Sequence, residues 1–533
     1  MVSTVIVVAL SVLAAMGTAG WLGIKLTPPS MSAPTLILTL AVADCIHFLV
    51  TLYHNLRGGM QKQAAIVESL RINFSPIMLT SLTTAIGFLS MNFSDAPPFR
   101  DLGNITAVGV VYAFLLAVFF LPALAAVLPL KAKQRKTRTA MAMDSLATFV
   151  INTRRPLFWG MLAVIVGLSV FAPRNQLDDN FVNYFDESIP FRVETDLVTD
   201  NLSGMYLIDY SISSGEEGGV SNPAFLAKVE EFERWLESQP EVQHVSSITE
   251  TMRRLNRSMH GDDDNYYLLP ESRELSAQYL LLYEMSLPYG LDLNNQINFD
   301  KSTTRLSATL ETLSTQETLD FEKRSDAWMA ANTPEIATAG SGPTVMFSHI
   351  SFRNIISMLS GTTIAIVLIS AILMIALRSL KFGMLSLIPN LTPALMAFGV
   401  WYLTVGYVGL AVSVVVAMTL GIVVDDTIHF LSKYLRARRE RGLNAEEAVR
   451  YAFNTVGVAL LVTTIVLVCG FLVYAQSAFL VNAEMGLLTA ITIAIALIVD
   501  FLFLPTLLIA IDGDKETDSE TATADPSPVG QNA

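Results

Sequence analysis

Gly421-Ile422-Val423-Val424-Asp425-Asp426-Thr427-Ile428-His429-Phe430-Leu431 decides how the whole chain is read. Two adjacent carboxylates and an imidazole stand inside an apolar run. An ionised carboxylate at mid-bilayer costs about 2.5–3.5 kcal/mol on insertion scales, so such residues are rarely there without a task. Asp426 and His429 are i,i+3 and Asp425 and His429 i,i+4, so a helix puts all three on one face. The pattern returns 382 residues earlier as Ala43-Asp44-Cys45-Ile46-His47-Phe48-Leu49. At an offset of 383, Leu79-Thr80-Ser81 through Gly87-Phe88 matches Val462-Thr463-Thr464 through Gly470-Phe471. Asp101-Leu102-Gly103 matches Glu484-Met485-Gly486, and Leu121-Pro122-Ala123-Leu124 matches Leu504-Pro505-Thr506-Leu507. Self-similarity at a fixed offset means two homologous halves. Parallel repeats of this kind occur in secondary transporters.

Working outward, the 533 residues are 52% hydrophobic and only 15% charged, against about 25% charged in soluble domains. The mean hydropathy is +0.48. Ten apolar stretches, near 4–26, 33–53, 73–93, 103–128, 156–172, 354–377, 383–404, 408–432, 452–475 and 485–511, approach the ~18–20 residues that a bilayer-spanning helix needs. The expected fold is a polytopic α-helical membrane protein of two parallel pseudo-symmetric repeats. Residues 1–130 form a first repeat of four spans, 131–155 a basic linker and 156–172 the first span of the second repeat. A soluble insert occupies 173–352, five more spans 353–511, and an acidic, disordered tail 512–533. The first repeat lacks counterparts of two spans and of the insert, so these are expected upstream of Met1 or on another chain.

Charge sets the orientation. Residues 173–352 carry 30 Asp+Glu against 12 Lys+Arg, a net of −18, and the tail carries a net of −5, which leaves +9 on the rest of a chain whose net is −14. Lys131, Lys133, Arg135, Lys136, Arg138, Arg154 and Arg155 lie in the linker, and Lys433, Arg436, Arg438, Arg439, Arg441 and Arg450 in a loop at 433–450. Lys/Arg-rich short loops stay cytoplasmic. The expected location is therefore the inner (plasma) membrane, with 173–352 extracytoplasmic. A basic membrane part with an acidic insert argues against nucleic-acid binding. Cys45 and Cys469 both lie in apolar segments, so no disulfide framework is expected. No P-loop, CxxC or GxGxxG string occurs, which weighs against ATP-driven transport by this chain itself.

The insert reads as an α/β module. Met205–Ser214 is a strand, Asn222 an N-cap before Pro223, and Phe225, Val229, Phe232 and Leu236 follow at helical spacing. Val242–Ile248 returns as a strand, 271–287 is helical, and Thr303–Leu310 alternates with period two. Ser314 with Glu317 marks a capping box, and Ile336–Ala339 a last short strand. This order predicts a split βαβ, ferredoxin-like sandwich.

The string Gly421–Phe430, the late Leu504-Pro505 and the two-half layout resemble the resistance-nodulation-division (RND) superfamily, and within it the MMPL-type exporters related to Patched and to sterol-sensing domains. The resemblance covers nearly the whole chain except the tail. It implies twelve spans in two halves, each with an extracytoplasmic domain, and central packing of the two motif-bearing spans. It also implies a proton-driven export function with a lipid or other hydrophobic molecule as substrate. An oligomer is expected.

On these grounds Asp426, Asp425, Asp44, His429 and His47 are the candidate proton relay, and Thr463, Thr464, Thr80 and Ser81 candidate relay hydroxyls. Hydrogen bonding of those hydroxyls to their own helix backbone is the plainer alternative. Asp500, whose repeat mate is Ala117, is expected to be structural. No lysine is read deep inside a span. A solvated loop is expected for Asp262-Asp263-Asp264, while His244, His260 and His349 are scattered. Nothing resembles a hydrolase triad or a zinc site, so neither an enzyme nor a cofactor or metal is expected. The rival reading is a sterol-sensing-like lipid receptor or accessory subunit without turnover.

Overall fold

The computed structural model describes residues 2–129, 138–288 and 292–513. They form two compact units, one from the described parts of Met1–Gln176 and Asn354–Ala533, the other from Leu177–Arg353. The expected tail disorder and the basic stretch at 131–137 lie outside the described residues.

Among the described residues, ten helices are long and apolar enough to cross a membrane. In chain order they are span 1 (Val2–Trp21), span 2 (Ser30–Arg57), span 3 (Lys62–Phe93), span 4 (Pro97–Val127) and span 5 (Arg154–Arg174). Span 6 (Pro343–Ala376), span 7 (Leu380–Thr404), span 8 (Leu410–Arg441), span 9 (Ala445–Tyr474) and span 10 (Leu480–Asp512) follow. Every stretch expected from hydropathy is present. Several helices outrun their apolar cores, because a polar turn can continue the backbone ladder without being apolar. Two expected loops are corrected for this reason. The linker contains a helix, Arg138–Asn152. The loop at 433–450 is mostly helix: span 8 runs to Arg441, Gly442 ends it with φ +64°, and Asn444 with Glu447 makes a capping box that opens Ala445–Ala452.

Span 8 is the axis of the first unit. Its residues from Val423 to Leu431 are all buried, whereas span 5 buries only Met161 and Ile165 in its helical core. Small residues let it approach span 3. A Cβ on Gly421 would stand 2.8 Å from the Thr84 Cα, and one on Gly87 3.1 Å from the Ala417 carbonyl oxygen. Ala417 and Gly421 form a small-xxx-small pair, as close helix contact in membranes favours. Thr84 Oγ1 also donates to the Gly421 carbonyl at 2.8 Å. Spans 9 and 2 also come close, where a Cβ on Gly470 would stand 3.0 Å from the Thr39 side chain. Spans 4 and 10 each widen into a π turn, at Leu116–Phe120 and Val499–Phe503, ahead of Pro122 and Pro505. A proline donates no N–H to the ladder and crowds the preceding turn, and a π turn absorbs both effects.

The second unit is built on three strands: β1 (Tyr206–Ser213), β2 (Val242–Ser246) and β3 (Thr303–Leu310). They pair antiparallel in the order β1-β3-β2. Leu306, Ala308 and Leu310 are fully buried on one face, against the helix Pro223–Glu237, whose N-cap Asn222 accepts from Ala224 N–H. Ser314 and Glu317 form the expected capping box. The expected strand at Ile336–Ala339 is corrected: Pro334–Ile336 is a single 3₁₀ turn, and only Ser341 bridges to Asp209 of β1. Gly340 and Gly342 flank that bridge, and Gly342 has φ +124°, which interrupts a strand. The split βαβ order survives with its fourth edge reduced to one bridge. Strand β2 stops at Ser246, two residues early, because the Ser247 side chain accepts from Thr249 N–H and caps the helix Ile248–Met259. That helix and Pro190–Asn201 were not expected from the sequence.

Candidate functional site

All five candidate relay residues are buried, at 9% exposure or less, where spans 2, 3, 8 and 9 converge. His47 of span 2 and His429 of span 8 stack with ring centroids 3.7 Å apart and planes 3° from parallel. Asp425 Oδ1 stands 3.4 Å from His429 Nε2. A cavity of ≈ 20 Å³ opens between Asp44 and Asp425, lined also by Thr80, Ser81 and Thr84. That is room for one water molecule, for which about 10–15 Å³ suffices. The acid that shares a space with Asp44 is therefore Asp425, not its repeat mate Asp426.

Asp426 faces the other way. Thr464 Oγ1 of span 9 donates to Asp426 Oδ2 at 3.1 Å. Ser81 Oγ of span 3 donates to Asp44 Oδ2 at 3.4 Å. The two contacts are repeat equivalents, since Asp44 and Ser81 map onto Asp426 and Thr464 at offsets of 382 and 383. The remaining hydroxyls differ. Thr463 donates only to the Ala459 and Leu460 carbonyls, and Thr80 donates to the Ile77 carbonyl while lining the cavity. Asp500 is fully buried and accepts from Thr427 Oγ1 at 3.0 Å, so its π turn is tied to span 8 beside Asp426.

Lys433 is the residue that sequence reading assigned to a loop. It lies on span 8, 2% exposed, one turn beyond His429, and its Nζ donates to the Ile72 carbonyl at 3.3 Å. The signal was present as Asp425, His429 and Lys433 at intervals of four.

His47, Asp425 and His429 offer ligand atoms within 4.8 Å of one another, a set that composition alone would assign to a metal. The stacking argues otherwise. A metal lies in the plane of each imidazole that binds it, and parallel planes share no point. Both nitrogens of His429, Nε2 of His47 and Oδ1 of Asp425 are buried without a hydrogen-bond partner among the described residues. Two imidazolium charges at that spacing would repel by about 4 kcal/mol at an effective dielectric near 20, so the stack holds one charge at most.

The fold and this buried polar centre define a multi-pass membrane protein. The MMPL family profile matches residues 1–162 and 297–521, and the chain belongs to that family. A membrane protein of Methanocaldococcus jannaschii is 30% identical over 108 residues, which is 20% of this chain and 28% of that protein. Among solved structures, the chain is similar to SecDF, a translocon-associated membrane protein from Thermus thermophilus, with TM-score 0.54 and 14% identity, covering 96% of this chain and 59% of that one. It is similar also to the hedgehog release protein Disp of the water bear Hypsibius dujardini, with TM-score 0.61 and 16% identity, covering 96% and 70%. At such identities the likeness is one of fold. The match spans under a third of the archaeal relative, and the chain covers less than two thirds of SecDF.

Proposed function

We propose that this protein is a proton-driven secondary transporter that exports a hydrophobic or lipid-like molecule across the inner (plasma) membrane, with residues 173–352 on the outer side. The observation that carries the reading is the cavity shared by Asp44 of one repeat and Asp425 of the other, beside the His47–His429 stack. Four buried carboxylates, Asp44, Asp425, Asp426 and Asp500, face one buried lysine and two imidazoles, of which one at most is charged. Full ionisation would leave uncompensated negative charge in a low dielectric, so the centre stores protons. A proton arriving from the outer side neutralises a carboxylate at the cavity. The neutral pair lets spans 2 and 8 approach, and release of the proton to the inner side restores the charge and drives them apart. Motion between the halves is what moves the cargo. The family, and the release of hedgehog by Disp, agree with export.

The test is complementation of a host lacking the gene, read by untargeted lipidomics of the cell surface. The parental chain should restore a missing hydrophobic species. Asp425→Asn and Asp44→Asn should each fail at normal expression, as should the parental chain with a protonophore. Full complementation by both Asn variants would overturn proton driving and favour a lipid receptor.

A further inference from the structure

Away from the polar centre, the first unit holds a cavity of ≈ 570 Å³ at the ends of spans 5, 9 and 10. Its lining combines the polar groups Arg154, Arg155, Asn444, Glu446 and Thr506 with the apolar Phe158, Trp159, Ile509 and Ala510. Arg154 opens span 5 and pairs with Glu446, keeping 40% of its side chain exposed. Arg155 is exposed and has no ion-pair partner among the described residues. Trp159, one turn further along span 5, is 67% exposed. An exposed tryptophan one turn inside an arginine pair is the pattern of a helix end at the membrane–water boundary. The apolar wall continues from that level along the last turns of span 10.

We propose that this cavity is a binding site for an anionic phospholipid, with the headgroup phosphate on Arg155 and Arg154 and an acyl chain along Phe158, Trp159 and Ile509. Arginines bind phosphate oxygens in a fork geometry, whether of a lipid headgroup or of a free anion. Two features point to the lipid. The apolar wall starts within one helical turn of them, so headgroup and chain are both served. The volume falls within the ~300–1,000 Å³ typical of small-molecule sites and far exceeds what a phosphate fills. Glu446 is a carboxylate inside the site and competes for Arg154, which leaves Arg155 the main headgroup ligand. Basic pockets between membrane helices are where anionic headgroups settle. The proposal stands apart from proton-driven export and survives its failure.

The experiment uses the full chain in liposomes and reads tryptophan fluorescence. Brominated phosphatidylglycerol and brominated phosphatidylcholine are compared at equal mole fraction, and a Trp159→Phe variant isolates the signal of the site. Phosphatidylglycerol should quench Trp159 preferentially. Arg155→Gln should lower that preference about fivefold, the worth of one basic residue near an anionic surface. Arg155→Lys should keep most of it, and Glu446→Gln should raise it. Equal quenching by the two lipids, or a preference unchanged in an Arg154→Gln/Arg155→Gln double variant, would overturn the site. A shift of Trp159 emission on adding millimolar inorganic phosphate, with equal quenching by the two brominated lipids, would show that the cavity takes the free anion and would overturn the lipid assignment.

Discussion

Thr463 and Thr464 are neighbours on span 9, yet only Thr464 reaches a carboxylate, at 3.1 Å from Asp426. The Thr463 hydroxyl is spent on carbonyls of its own helix. A hydroxyl that donates to a buried acid contributes about 1 kcal/mol. Thr464→Val should therefore displace the pH dependence of transport, while Thr463→Val leaves it in place. Rates against outer pH for the two variants check this, and an identical shift in both would remove the hydroxyl from the relay. Adjacent positions on a helix point about 100° apart, and only the packed neighbours decide which one meets the acid. That is why the sequence could offer the pair but not choose within it. The carboxylates were legible because the sequence around Asp44 recurs around Asp426, each inside an apolar run. Lys433 was not, because apolar patterning ends span 8 near 432 while the helix and its burial run on.

Spans 3 and 8 meet closely at Gly87 and Gly421. A Cβ at Gly421 would press on the Thr84 backbone at 2.8 Å, where no flexible side chain can yield. Overpacking of this kind costs about 1–3 kcal/mol. Gly421→Ala should lower the melting temperature of the detergent-solubilised protein and weaken transport. Gly160→Ala, on a face of span 5 with nothing within 4 Å, should do neither. Equal behaviour of the two variants would show that the contact does not constrain the halves. Local signals were read well at this scale. The capping box at Ser314 and Glu317 and the N-cap Asn222 need only their own neighbours. The last strand failed because pairing is not local: a strand at Ile336–Ala339 had to compete with Pro334 behind it and Gly340 and Gly342 ahead, and one bridge to Asp209 is what remains.

Basic groups from distant parts of the chain collect at one end of the first unit. Asp512, closing span 10, meets Arg438 at 2.9 Å and Lys381 at 3.7 Å. Arg450 approaches Asp144 of the linker helix at 3.7 Å, and Arg154 pairs with Glu446. Span 5 begins at this end and runs for 21 residues, about 31 Å at 1.5 Å per residue, which matches a hydrocarbon core of about 30 Å. That length predicts that its far end, from which the chain enters Leu177–Arg353, emerges on the opposite side of the membrane. Lys/Arg-rich ends are retained in the cytoplasm, so the second unit is expected outside. The acidic loop after His260 gives the means to check it. Of the two cysteines, Cys45 is buried, and Cys469 is exposed on span 9 and is best replaced by serine. In that background Asp263→Cys should react with a membrane-impermeant maleimide on intact cells. Arg441→Cys, at the basic end of span 8, should react only after lysis. The reverse pattern would invert the orientation, and would require protons to enter from the side now assigned to their release.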